Sequence, residues 1–224
     1  MSVLTSRAAE YAKGIRNMPV GSTLIFEDVT WDEYEEMLDE FSDNSHYRIS
    51  YDQGRLEILS PPERHEYRKS VLGSMVEVLT EELSMKVVRL GSTTWRKREV
   101  SQGAEPDESF YIASCDRIRN KQEIDLSTDP PPDLVIEVDV SHSSRDKFSI
   151  YAGLGVPELW RYRKGHVRFY HLVEGQYVEA TTSRSFPFLR PSDLEAFISQ
   201  DRIEELNQTK RLFREWVGNC KSSP

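Results

Sequence analysis

Residues 130–147 read PPPDLVIEVDVSHSSRDK, an apolar strand with acids set inside it, followed by a helix start that carries a lysine. The β-branched residues of DLVIEVDV mark a buried strand. Side chains alternate along a strand, so Asp133, Val135, Glu137 and Asp139 share one face, while Leu134, Ile136, Val138 and Val140 share the other. The second face belongs in a core. An unpaired buried carboxylate is costly, so the acidic face requires a cation, a hydrogen-bond network or access to water. A divalent metal satisfies that need, since Mg²⁺ takes oxygen ligands, usually one or two carboxylates completed by waters and substrate phosphate. Ser143 or Ser144 can cap a helix that runs through Lys147 and Tyr151 and stops near Gly153 or Gly155. Lys147 then lies one turn past the cap, where its side chain could reach back over the end of the strand. An ammonium there could orient or help deprotonate a water and stabilise charge developing on phosphorus.

A second acid lies upstream in GAEPDESFYI (103–112), where Asp107 follows Pro106 at the start of an apolar strand. If the two strands are neighbours, Asp107 and Glu137 converge. Each residue also has a plain reading. Glu137 and Asp139 could be the solvent face of an edge strand, Asp107 a turn acid, and Lys147 a paired cation on a helix surface.

The rest of the chain supplies a scaffold. TLIFEDVT (23–30) is a strand leading to Thr30, which with Glu33 forms a capping-box pattern before the acidic surface helix WDEYEEMLDEF (31–41). HYRISYDQGRLEILSPP (46–62) holds two β-type runs around Asp52-Gln53-Gly54, a hairpin signal, with Pro61 and Pro62 closing the second. Between Glu63 and Ser84, Leu72, Met75, Val76, Leu79 and Leu83 recur at helical spacing. KVVRL, STTWRKREV and DESFYI read as strands separated by Gly91 and a Gln102-Gly103 turn, and 115–132 as a polar loop. GVPELWRYR, HVRFYHLV and GQYVEA form a meander, and two helices, PSDLEAFIS and RIEELNQTKRLFREWVG, close the chain. Helices mixed with an antiparallel-rich sheet predict an α/β (α+β) fold with a central mixed sheet flanked by helices. The helix after DLVIEVDV permits a crossover to a parallel neighbour.

With 224 residues, 38% of them apolar and 30% charged, the chain suits one domain with appendages. Its net charge of -9 argues against a general nucleic-acid coat, so any nucleic-acid role is local. No stretch approaches a membrane span, and the N-terminus lacks the apolar run of a signal peptide. The isolated Cys115 and Cys220 fit a reducing compartment, and a cytoplasmic location is expected.

Taken together, LEILSPPERHE, LGSTTWRKREVSQGAEPDESFYI, PPPDLVIEVDVSHSSRDKFSIYAGLGVPELWRY and SFPFLRPSDLEAFI resemble the Uma-type restriction endonuclease family of bacteria, formerly a domain of unknown function, within the PD-(D/E)XK nuclease superfamily. The resemblance covers roughly residues 23–199. It divides the chain into an arm (1–22), a nuclease-like domain (23–199) and a C-terminal helix (200–224). It implies a restriction-endonuclease-like core and a Mg²⁺- or Mn²⁺-dependent endonuclease acting on DNA. Asp107 matches the PD acid and Glu137 the acid of the (D/E)XK element, and both would hold the metal. The superfamily's lysine normally stands two residues later, where this chain has Asp139. Lys147 would supply the displaced charge, with Asp139 as an extra ligand or as its partner. His65 and Glu66 match the segment before the long helix, where related nucleases place an additional acid or histidine.

WRKR (95–98) and RYRKGHVR (161–168), which mix cations with aromatics, are candidate DNA contacts. A non-catalytic nucleic-acid- or protein-binding module on the same scaffold is the alternative reading. A homodimer would suit two-strand cleavage, and Leu212, Phe213 and Trp216 of the last helix are candidate anchors for a dimer or for packing.

Overall fold

A computed structural model describes residues 6–41, 47–60, 63–139, 147–198 and 206–222. The order is α1 (Ser6–Ile15), β1 (Thr23–Phe26), α2 (Trp31–Phe41), β2 (Arg48–Asp52), β3 (Arg55–Leu59), α3 (Glu63–Glu82), β4 (Val88–Arg89), β5 (Trp95–Lys97), β6 (Gln102–Ala104), β7 (Glu108–Tyr111) and α4 (Cys115–Ile118). It continues with β8 (Leu134–Asp139), α5 (Phe148–Leu154), β9 (Glu158–Arg163), β10 (His166–Val173), β11 (Gln176–Ala180), α6 (Pro191–Ile198) and α7 (Leu206–Ser222).

The fold is mixed α/β, as expected, but the strands form two sheets rather than one. The first is antiparallel, in the order β1-β3-β2-β6-β5, and the second is mixed, in the order β11-β10-β9-β8-β7-β4. In the second sheet β8 runs antiparallel to β7 and parallel to β9, with α5 as the crossover. The chain steps between sheets at Glu105-Pro106-Asp107. Glu105 N–H still donates to Ile49 of the first sheet at 3.0 Å, whereas Asp107 N–H donates to Ile136 of the second at 3.1 Å. Pro106 between them has no N–H to offer either ladder, so the switch leaves no donor stranded there.

Local chemistry explains much of this. Thr30 N–H donates to Glu33 Oε2 at 2.8 Å, and Glu33 N–H to Thr30 Oγ1 at 3.3 Å, which closes the capping box at the start of α2. Gln53 and Gly54 both have positive φ, 49° and 101°, as the two-residue turn between β2 and β3 demands. The expected Gln102-Gly103 turn is instead strand β6. The turn falls one step earlier, in a single 3₁₀ turn at Arg98–Val100 that ends on Ser101 at φ 51°. Gly103 belongs in β6 because an added Cβ would run into the Tyr34 hydroxyl.

Both faces of β8 are used. Leu134, Ile136 and Val138 join Leu72, Met75, Val76 and Leu79 of α3 and Phe213 and Val217 of α7 in the largest core. Val135 packs with Ile150, Tyr151 and Leu154 of α5 in a second core. A third core lies between the first sheet and α1 and α2. The segment expected as an N-terminal arm therefore includes a helix whose Ala8, Tyr11, Ala12 and Ile15 are buried, and the acidic helix α2 buries Trp31, Tyr34, Met37 and Phe41. Phe213 is fully buried under α3, which makes it a packing anchor, while Leu212 is 41% exposed.

Candidate active site

The β7–β8 pairing ends at Glu108↔Ile136, and the next residues on the two strands, Asp107 and Glu137, lie close enough for the charge of Asp107 to act on the Glu137 carboxyl. Glu137 is on the face turned to α5, because it follows Val135 at strand spacing. Asp107 is 2% exposed, and its Oδ2 accepts the Val138 N–H at 2.6 Å. Glu137, also buried, receives the Lys147 ammonium at 3.2 Å on Oε1 and 3.3 Å on Oε2, and the Tyr151 hydroxyl donates to Oε1. Lys147 Nζ also donates to the carbonyl of Glu105 at 3.2 Å.

Lys147 arrives differently from the expectation. Helix α5 begins at Phe148, and Lys147 holds the N-cap position without a side-chain cap bond. Ser143 and Ser144, read as caps, lie outside the described residues. From this position Lys147 and Tyr151, four residues apart, both reach Glu137.

Burial pushes the Glu137 carboxyl up from 4.5 to about 7, Lys147 pulls against that rise, and the charge of Asp107 adds to it. For Lys147, burial acts to lower the ammonium, but the carboxylates of Glu137 and Asp107 outweigh it and the net shift is upward. The carboxylates thus favour the charged form of the lysine. Burial raises the Tyr151 phenol, and Glu137 raises it further, so it remains a donor. Burial also raises Glu105, against hydrogen bonds from the Thr94 hydroxyl (2.8 Å) and the Ile49 N–H (3.2 Å).

Asp139 shares the Glu137 face and adds its charge to that of Glu137 and Asp107 around Lys147, but its bonded partner is a different cation. Arg161 of β9 takes it, with Nε at 2.7 Å and Nη2 at 2.5 Å from Oδ2. Glu66, in the first turn of α3, is half exposed and bonded to Arg48 Nη2 at 2.9 Å, with Lys69 at 3.5 Å. The side chain of His65 lies outside the described residues. Asp133, at the other end of the strand face, accepts the N–H groups of Ile112 and Ser114 and the Ser114 hydroxyl, a structural role.

The sequence reading missed Arg48, Tyr151 and Glu105. The four-residue spacing of Lys147 and Tyr151 was a usable signal for one of them. Arg48 is 59 residues from Asp107 in another sheet and left no local mark.

The basic stretches are largely spoken for. Trp95 and Tyr162 are buried in cores rather than offered for stacking. Arg98 pairs with Asp32 and, at 3.6 Å, with Glu35, while Arg168 pairs with Glu179 at 3.2 Å. Arg163 and Lys164 are exposed at the β9–β10 turn. A cleft of about 830 Å³ lies elsewhere, between residues 93–99 and 121–127, and touches neither Asp107 nor Glu137.

Asp107 and Glu137 could together hold a divalent cation. Two neighbouring carboxylates with little solvent form a hard-oxygen pair whose repulsion a cation would relieve. Among the described residues no group of three or more His, Cys, Asp or Glu side chains gathers for a metal, so water and substrate oxygens would complete the shell.

Residues 31–201, well over half of the chain, match the family model Uma2, described as "Putative restriction endonuclease". The chain belongs to the Uma2 family. No curated protein matches it. Among solved structures, it is similar to "a putative nuclease belonging to DUF820" from Anabaena variabilis, with 18% identity, a TM-score of 0.45, and coverage of 71% of this chain and 97% of that one. Uma2 membership supports a nuclease-like function, and it covers β8, α5 and the β9–β10 pair, where the acids and their cations meet. No helix among the described residues is long and apolar enough to cross a membrane.

Proposed function

We propose that this Uma2 protein is an endonuclease that hydrolyses phosphodiester bonds of DNA and requires Mg²⁺ or Mn²⁺. The observation that carries the reading is the meeting of Asp107 and Glu137 across two strands, with the Lys147 ammonium on the Glu137 carboxylate. Asp107 and Glu137 would hold the metal, which when bound supplies a Lewis acid for a phosphate oxygen and an activated water. The chain's own residues do the rest. Tyr151 and Lys147 fix the orientation of Glu137 from two sides. Val138 N–H fixes Asp107. The ammonium of Lys147 would lie where charge builds on the phosphorus oxygens as a water attacks and the ester oxygen leaves, the position at which a preset charge accelerates a reaction most.

A cytoplasmic setting and a homodimer that presents two such sites belong to the same proposal. The free thiols of Cys115 and Cys220 are compatible with the first, and exposed Leu212 and Phe188, the latter beside Trp216, with the second.

The test is cleavage of supercoiled and linear DNA with Mg²⁺, Mn²⁺ or EDTA, beside calorimetry of each metal. Metal-dependent cleavage is expected, falling about 100-fold or more in Asp107→Asn, Glu137→Gln and Lys147→Ala, as for loss of a group acting in the transition state. If no DNA is cut and neither metal binds, the proposal falls and a non-catalytic binding module takes its place.

A further inference from the structure

We infer that Arg48 is a positioning residue of this site, holding the Asp107 carboxylate beside Glu137 and tying it to the start of α3 through Glu66; the inference rests on the nuclease reading for its catalytic meaning. Arg48 opens β2 in the first sheet, whereas Asp107 and Glu137 belong to the second. Its neighbours Ile49 and Tyr51 fall in the core under α2, and Arg48 itself is only 5% exposed. A buried guanidinium requires acids and carbonyls around it, because its desolvation is costly when uncompensated. Here those partners come from three parts of the chain. Nε lies 3.6 Å from Asp107 Oδ1, Nη2 2.9 Å from Glu66 Oε1, and Nη1 donates to the Tyr47 carbonyl at 3.1 Å.

The contact with Asp107 is an ion pair at longer range than a hydrogen bond, and it works together with a short one. Val138 N–H holds Oδ2 at 2.6 Å, while the guanidinium faces Oδ1. The carboxylate is thus held from both sides and resists turning away from its like-charged neighbour Glu137. The planar guanidinium presents its donors in a fixed fork, so it holds the two acids in set directions, whereas a lysine's compact ammonium on a flexible stem fixes neither. The arrangement also gives the antiparallel sheet a part in the site. The first sheet delivers the cation for Asp107, and the helix α5 delivers the one for Glu137.

The test compares wild type with Arg48→Met, Arg48→Lys and Glu66→Gln in three measurements: kcat and KM for DNA in Mg²⁺, recovery of activity by added guanidinium, and amide hydrogen exchange at Val138. Outer partners of metal-holding residues typically contribute about 10–100-fold, so kcat should fall by about that factor in Arg48→Met with KM nearly unchanged. Arg48→Lys should fall less, Glu66→Gln least, and guanidinium should restore part of the Arg48→Met loss. The Val138 amide should exchange faster while amides elsewhere in β8 keep their protection. If Arg48→Met does not fold, Arg48→Lys carries the same comparison. Wild-type kcat and wild-type Val138 exchange in the folded variants would overturn the inference, as would a rise in KM at constant kcat. If the wild-type protein cuts no DNA, the nuclease reading fails, and Val138 exchange still decides whether Arg48 holds Asp107.

Discussion

Glu137→Gln should remove a pH dependence of stability that the wild-type protein carries. The Glu137 carboxyl lies at about 7 in the folded chain against 4.5 for an ordinary glutamate, with burial as the main cause. The native state therefore holds a proton that the unfolded chain has already released between those two values. A raised acid contributes stability that is fully present below about pH 4.5 and is lost as pH rises through about 7. The gap of about 2.5 units, at about 1.4 kcal/mol each, amounts to roughly 3 kcal/mol lost between pH 4.5 and 8.5 in the absence of metal. Glutamine keeps the shape and has no proton to lose. Urea unfolding in EDTA at several pH values should show the stability of wild type minus that of Glu137→Gln shrinking by about this amount across the range, which cancels the other carboxylates. Added Mg²⁺ should flatten the wild-type slope above pH 7, because a bound cation favours the charged carboxylate. A difference between the two proteins that does not change with pH would refute the argument that burial governs this carboxyl.

Two other positions give independent tests. An added Cβ at Gly153 would overlap Gln102 Oε1, and Gln102 Nε2 donates to Asp52 at 2.9 Å and to the Ser149 carbonyl at 3.3 Å, so Gly153→Ala should loosen α5 from β6. The clash falls on the end of a side chain held by those two bonds, and alanine favours a helix over glycine by about 1 kcal/mol, so a net loss of only about 1 kcal/mol is expected by urea unfolding, and a net gain would count against the close approach. Glu158 is fully buried and accepts from Trp160 Nε1, the N–H groups of Arg184 and Ser185, and the Ser185 hydroxyl. Glu158→Gln would turn an amide donor toward two of those donors, and a loss of roughly 3 kcal/mol in the same measurement is expected for a buried charged acceptor.

The parts of the fold that were legible in the sequence are those set by neighbours in the chain. The alternation in β8, the Gln53-Gly54 turn, the Thr30–Glu33 capping box and the β9–β10–β11 meander each follow from a few consecutive residues. The division into two sheets was not legible, because it depends on where the chain stops pairing with one set of strands and starts with another. Pro106 marks that step, yet a single proline before an acid reads equally well as an ordinary turn. Helix α1 was missed as a buried element because its inward face relies on the small Ala8 and Ala12 beside Tyr11 and Ile15. The surroundings of the basic stretches were not legible for a related reason. Composition counts cations but not the acids of Asp32, Glu35 and Glu179 that other elements bring against them.

The pairing of acids with cations also accounts for the aspartate that stands where the family resemblance places a lysine. Three carboxylates occupy this end of the second sheet, and each has a cation delivered by a different element: Arg48 of β2 for Asp107, Lys147 at the start of α5 for Glu137, and Arg161 of β9 for Asp139. A lysine at position 139 would have stood beside Arg161 as a like charge at close range. With Asp139 there, Arg161 is satisfied and also lies over the Phe148 ring at 5.5 Å, at the first residue of the helix that presents Lys147. Lys147 brings its positive charge to Glu137 from the helix start, and Asp139 holds the arginine that lies over the first residue of that helix. On this account Asp139 acts on Lys147 in two ways, by its own charge and through the arginine that packs on the helix start.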